Sequence, residues 1–180
     1  MESQILHTNH LELIAATSEH IKAELESPEC LASLLNTQVE QGWPPGEYDR
    51  NAQEFFFDIL CRNNTSAVGW YIWYAISKPI HNKPSLLIGA GGYFGPPKED
   101  GIVEIGFSIM TFHRNMGYAT EIAEALVENA FNNKNVHKVI AHTTNNNTAS
   151  CKVLEKSGFH YVSEDYESGI VLFERQKDNH

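Results

Sequence analysis

The chain has 180 residues, 42% apolar and 11% aromatic, enough to bury a core, and this excludes a disordered chain. Its formal net charge of −10 excludes the basic surface that nucleic-acid binding needs; it would suit a cationic ligand such as an amine, or simply solubility. No run approaches the ~20 apolar residues of a membrane span, and none is expected.

The first residues carry neither a basic stretch nor a long apolar run, so no signal peptide is expected. Cys30, Cys61 and Cys151 are odd in number and lack a CxxC spacing, which points to reduced thiols in a cytoplasmic protein. There is no HExxH, and His137 and His142 lie five apart in one expected strand, on opposite faces; no metal is expected.

In chain order, "LELIAAT" (11–17) alternates and predicts a strand. "SEHIKAELES" predicts a helix capped by Ser18, with Ile21 and Leu25 stacked at i, i+4. Pro28 opens a second helical stretch, whose Leu31, Leu34 and Leu35 form one stripe. Two prolines and two glycines keep "GWPPGEY" (42–48) irregular. Residues 49–63 predict a helix burying Phe55, Phe56, Ile59 and Leu60. The period then changes. Runs 68–77, 85–95 and 101–110 are aromatic and β-branched with short turn-rich links, an antiparallel meander.

Residues 117–131 predict a helix burying Ile122, Ala123, Leu126, Val127, Ala130 and Phe131, with glutamates outward. A strand (137–143), a short helix (148–157) capped by Asn147 and stopped by Gly158, and a hairpin turning at Ser168 and Gly169 complete the chain. The order is that of one mixed α/β domain over residues 1–180. Its strand–helix–strand unit, 101–143, should be parallel.

The stretch "FHRNMGYATE" (112–121) holds Arg114, Gly117 and Ala119 where a strand gives way to a long helix. The chain has neither GxxxxGK[ST] nor GxGxxG, so the two common nucleotide loops are excluded. A helix start nonetheless has free N–H groups and a positive dipole end, and a glycine lets an anion come close. A permissive glycine at an ordinary helix start explains the stretch as well.

"GIVEIGFSIMTFHRNMGYATEIAEALVENAF", followed by a strand and "NNNTASCKVLEKSGFHYV", resembles the GNAT family of acetyl-CoA-dependent N-acetyltransferases. The branch it looks closest to is that of the ribosomal-protein acetyltransferases RimJ and RimL. The resemblance is strong over residues 101–162 and looser before them. It implies an α/β (α+β) GNAT fold: a mixed, mostly antiparallel sheet with a splayed parallel strand pair and flanking helices. It also implies acetyl-CoA as co-substrate, an amine acceptor (a protein N-terminus or a small molecule), and a monomer or homodimer.

Residue by residue, the resemblance implies a bulged strand before the loop, with Ile109, Met110 and Thr111 offering main-chain contacts to the pantetheine arm. Arg114, Asn115, Met116, Gly117, Tyr118, Ala119 and Thr120 would hold the pyrophosphate, although Met116 replaces a residue that is often basic. Asn147 would contact the arm, besides capping its helix for roughly 1 kcal/mol. Glu104, a carboxylate between apolar strand neighbours, would be the general base. A strand N–H near Met110 would meet the oxyanion. The helix 148–157 lacks the usual tyrosine, so Ser150 would protonate the leaving thiolate, while Cys151 packs as a small hydrophobe. Trp43 and Tyr48 would border the acceptor. The missing tyrosine also suits a different class, a non-catalytic acyl-CoA-binding regulatory module.

Overall fold

A single nine-stranded sheet organises the structure, a computed structural model that describes residues 4–81 and 83–178. Strand β2 (Leu11–Ala15) buries Leu11, Leu13 and Ala15, as its alternation predicts. On its outer side lies β1 (Ile5–His7), three residues that carry no period of their own and owe their conformation to pairing with β2. On the inner side, β4 (Ile72–Ser77), β5 (Leu86–Tyr93) and β6 (Ile102–Ile109) follow, antiparallel throughout, which is the expected meander. Strand β4 begins four residues later than its apolar run, because Gly69 turns the chain at φ +86°.

Strand β6 then pairs in parallel with β7 (Lys138–Thr144), which pairs with β9 (Ile170–Gln176), and β9 with the edge strand β8 (His160–Asp165). A second parallel pairing had no signal in the sequence: β3 (Gln38–Val39) lies beside Leu86 and Leu87 of β5.

Helices cover both faces. On one face, α4 (Tyr118–Asn132) lays Ile122, Ala123, Leu126, Val127 and Ala130 onto the sheet, and α5 (Thr148–Lys156) adds Leu154. Complete burial of Ile122, Leu126 and Val127 stabilises the fold by roughly 1.5–3 kcal/mol each. On the other face, α1 (Ser18–Glu26), α2 (Pro28–Leu34), α3 (Arg50–Asn63) and the loop 42–48 pack over Tyr74, Ile76, Leu87 and Ala90.

Three local expectations change. Thr17, not Ser18, caps α1: its hydroxyl accepts from His20 N–H, and the His20 ring accepts the Thr17 N–H in return. In α2 only Leu31 of the leucine stripe is buried; Leu34 is exposed. In α3 the inward face is Gln53, Phe56 and Leu60, leaving Phe55 59% exposed and Ile59 half-buried. The helix is rotated to bring the Gln53 amide to a buried carboxylate, described below.

Candidate active site

The parallel pair β6–β7 is short. It runs through Ile102↔Lys138, Val103↔Val139 and Glu104↔Ile140 and stops. Both strands continue, β6 to Ile109 alongside β5 and β7 to Thr144 alongside β9. Beyond Glu104 the sheet therefore opens as a wedge, the splayed pair the family resemblance implies. Met110 N–H donates to Ile88 C=O at 2.9 Å, and Phe94 N–H to Glu104 C=O at 3.0 Å. Even-numbered residues of β6 thus turn their main chain toward β5. By alternation, Ile105, Phe107 and Ile109 turn theirs into the wedge.

Two expectations are corrected here. Strand β6 is not bulged: its register with β5 is unbroken from Gly89↔Ile109 to Tyr93↔Ile105. The irregularity sits one strand away, where Ala75↔Gly89 is followed by Ile76↔Leu87 and Ile88 is the extra residue. Nor is a free N–H offered at Met110, since Ile88 takes it and Met110 C=O accepts from His113 N–H at 2.9 Å. An oxyanion donor on this strand has to come from the odd-numbered set.

At the wide end of the wedge, Thr111–His113 form a tight turn and Arg114 reaches back, its Nε donating to Ile109 C=O at 3.3 Å. Asn115 at φ +60° and Gly117 at φ +84° then swing the chain into α4. Gly117 is the N-cap and has no side chain to close the helix, so the first N–H groups of α4 lack an internal partner. A Cβ placed on Gly117 meets no atom within 4 Å. The result is an open concave surface of main-chain donors at the positive end of a 15-residue helix, with the exposed Arg114, Asn115 and Met116 around it. It fits a pyrophosphate.

Glu121, in the first turn of α4, would repel that anion but is held aside. It accepts from His10 N–H at 2.7 Å, from the His10 ring at 3.0 Å, and from the Thr8 hydroxyl. Burial alone would raise its pKa; the bonds from Thr8 and His10 outweigh it and hold the carboxyl below its usual range.

Across the wedge, Asn147 caps α5, its Oδ1 accepting from Ser150 N–H at 3.1 Å. The cap uses the carboxamide oxygen and not the NH₂ group. Ser150 is half-buried in the first turn. Cys151 packs against the core from α5, and burial pushes its thiol pKa up.

Glu104 sits at the apex of the wedge, and it is not isolated. His142 of β7, two residues past Ile140, places Nδ1 2.8 Å from Glu104 Oε1. Both side chains reach solvent, at 31% and 42% exposure. In the sequence His142 bears only on the metal question; its contact with Glu104 depends on parallel register, which no local pattern discloses. Among the described residues no three His, Cys, Asp or Glu side chains converge as a metal set.

Glu104, Gly106 and Ser108 share one face of β6. The loop 42–48 leans over it: a Cβ on Gly46 would lie 3.2 Å from Ser108 Oγ, and one on Gly42 3.8 Å from Met110 Cε. Phe94 closes the other side, 3.2 Å from a Cβ on Gly106, and is 65% exposed.

Trp43 and Tyr48, expected to border the acceptor, are turned inward instead, 7% and 6% exposed. Their polar atoms find a buried carboxylate, Glu24. It accepts from Trp43 Nε1 at 2.7 Å, Tyr48 OH at 2.7 Å, Tyr74 OH at 2.6 Å and Gln53 Nε2 at 3.0 Å. Burial raises the Glu24 pKa, and the four donors only partly offset it. These aromatics therefore anchor the loop rather than line an open wall, and Phe94 is the exposed ring beside Glu104.

The comparisons with known proteins agree with this geometry. The family described as "Acetyltransferase (GNAT) domain" matches residues 11–160. YjdG of Bacillus subtilis, named an uncharacterized N-acetyltransferase, is 29% identical over 170 residues, covering 93% of this chain and 98% of its own. Among solved structures, RimL, the ribosomal L7/L12 alpha-N-protein acetyltransferase, superposes with a TM-score of 0.66 at 15% identity, over 98% of this chain and 96% of its own. The aminoglycoside acetyltransferase AAC(6')-Ib, solved with coenzyme A, gives 0.58 at 17% identity, over 93% and 95%. The open wedge and the helix-start cradle define an acyltransferase fold. The chain belongs to the GNAT family of N-acetyltransferases.

Proposed function

We propose that the protein transfers the acetyl group of acetyl-CoA directly to a primary amine, a protein N-terminus or a small-molecule amine, with both substrates bound at once. The observation that carries this reading is the wedge: a strand edge left open from Ile105 to Ile109, leading from the Gly117 cradle to a carboxylate at its apex.

Gly117, Tyr118, Ala119 and Thr120 offer main-chain donors to the pyrophosphate, with Arg114, Asn115 and Met116 around it. Ile109 and Thr111 meet the upper part of the pantetheine arm, and Asn147 meets it from α5. Five residues of strand separate Ile109 from Glu104, roughly 17 Å at about 3.3 Å each, a span that suits an extended arm with its thioester near the apex. Phe107 or Ile105 N–H then receives the oxyanion, and Ser150 donates a proton to the departing sulfur.

The basic centre of this reading is at the apex, where Glu104 stands. An alkyl ammonium of pKa ~10.4 is neutral in about one molecule per thousand near pH 7, a deficit of roughly 4–5 kcal/mol, whereas an α-amine lacks only about 1 kcal/mol. The acceptor enters between Phe94 and the loop 42–48.

Thiol release from acetyl-CoA across a panel of peptide N-termini, polyamines, aminoglycosides and small amino compounds tests the reading. Turnover of an amine is the expected result. Thermal stabilisation by CoA without turnover on any amine would instead identify a regulatory acyl-CoA-binding module, the class favoured by the absence of a tyrosine from α5.

A further inference from the structure

We infer that the proton-accepting atom of the transferase centre is His142 Nε2, with Glu104 as the carboxylate that orients and charges the imidazole. This rests on the acetyltransferase reading above and sharpens its basic centre.

The geometry gives three grounds. First, His142 Nδ1 is tied to Glu104 Oε1 at 2.8 Å, from a position two residues past the last paired rung of β6 and β7, Glu104↔Ile140. With Nδ1–H donating to the carboxylate, the lone pair is on Nε2, the other side of the ring. Second, the pair stands where the wedge opens, and the imidazole is 42% exposed, so an acceptor and solvent can reach it. Third, among the described residues the competing partners are absent or engaged. Leu172 is the β9 residue directly opposite His142. Glu174, opposite Ile140 two positions back, is held by Lys138 Nζ at 2.8 Å and the His160 ring at 3.2 Å. Glu104 is thus the carboxylate in contact with His142.

Chemistry favours imidazole over carboxylate as the acceptor. A base works best when its pKa lies near the operating pH, and ordinary histidine is near 6.5 against about 4.3 for glutamate. His142 Nε2 removes one proton from the acceptor ammonium, and the resulting imidazolium is stabilised by the Glu104 carboxylate. The neutral amine attacks the thioester carbonyl; the C–N bond forms and the C–S bond breaks. The amine's second proton goes to the sulfur by way of Ser150, and His142 releases the first to solvent. One proton leaves per turnover, which balances an ammonium and a thioester going to an amide and a thiol. Glu104, acting through the ring, is a positioning residue.

The test compares His142→Ala, His142→Gln and Glu104→Gln in the full chain. It follows thiol release from acetyl-CoA, with the amine that turns over fastest or, if none does, with water. His142→Ala should lower kcat/KM by roughly 10²–10⁴ at pH 7, leave the KM for acetyl-CoA unchanged, and regain rate with added imidazole. His142→Gln, which can still bond Glu104 but cannot take a proton, should be as slow. In the wild type, long-range ¹H–¹⁵N spectra should show the Nδ1–H tautomer of His142, and Glu104→Gln should weaken that preference.

A His142→Gln variant at wild-type rate overturns the assignment, because position alone would then suffice. If Glu104→Gln is slow and both His142 variants are not, the base remains at Glu104 and only this inference falls. If all three match the wild type, base catalysis at the apex falls with it. A protein stabilised by CoA that releases no thiol, even with water, overturns both.

Discussion

Replacing Gly117 tests the phosphate cradle directly, because the structure separates its effect on folding from its effect on binding. The residue sits at φ +84°, where an L-residue costs roughly 1–2 kcal/mol. A Cβ there meets nothing within 4 Å, so no steric penalty adds to the backbone strain. Gly117→Ala should therefore lower the Tm by about 2–8 °C, at 2–4 °C per kcal/mol for a chain of this size. Binding should suffer more. The space the new methyl fills is that through which a phosphate oxygen would approach the N–H groups of α4. A hydrogen bond to a charged group contributes about 1.5–3 kcal/mol, so losing one weakens CoA roughly 10- to 150-fold. Gly117→Val should be worse on both counts. Calorimetry with CoA measures the loss, and pantetheine, which has no phosphate, is the control: its affinity should be unchanged. CoA bound by Gly117→Val with wild-type affinity would refute the cradle. Equal losses for CoA and pantetheine would show that the substitution acts through the fold instead.

Asn147 has two roles to separate. Asn147→Ala should cost roughly 1 kcal/mol in urea unfolding and weaken CoA, whereas Asn147→Ser should recover the cap but not the affinity. Glu24→Ala leaves Trp43, Tyr48, Tyr74 and Gln53 with buried donors and no acceptor, and urea unfolding should show a loss above about 3 kcal/mol. The two shifted carboxyls should act oppositely on stability. Glu24 holds its proton more tightly folded than unfolded, so its contribution falls as pH rises from the ordinary carboxylate value to its raised one, and Glu24→Gln should flatten that slope. Glu121 is lowered, so its contribution is present above the ordinary value and lost as pH falls through the lowered one; Glu121→Gln should flatten that limb. Phe94→Ala should raise the KM of a cationic acceptor several-fold and leave that of acetyl-CoA unchanged, on a cation–π contribution of about 0.5–2 kcal/mol.

The geometry of the proposed donor half is legible in the sequence because it is local. A strand, a glycine in a left-handed turn and a long amphipathic helix follow one another within 31 residues, 102–132, and each leaves its own periodic or turn signal. The same holds for the Asn147 cap, where donor and acceptor are three residues apart. Elements without a period of their own were not legible. Strands β1 and β3, of three and two residues, exist only because β2 and β5 have free edges beside them. The bulge lies on β5 and not on β6 for a related reason: an extra residue at Ile88 is a property of two strands in register, not of either sequence.

The acceptor half fails the same way, and its failures are connected. Phe55 looks like core in α3 by hydrophobicity alone, yet Gln53 faces inward, because a carboxylate 29 residues earlier needs a donor. The same carboxylate turns Trp43 and Tyr48 away from the wall that their aromatic character suggested. Glu24 reads as one more polar residue on an amphipathic helix, and only assembly of α1, α3, β4 and the loop 42–48 around it makes it the hub. His142 is the counterpart on the other side, 38 residues from Glu104 and brought beside it by the parallel register of β6 and β7. Short-range patterning therefore specifies the proposed donor cradle, while long-range pairing decides which groups stand at the apex of the wedge. On the proposed reading, the acceptor's identity depends on Phe94, the loop 42–48 and His142 acting together.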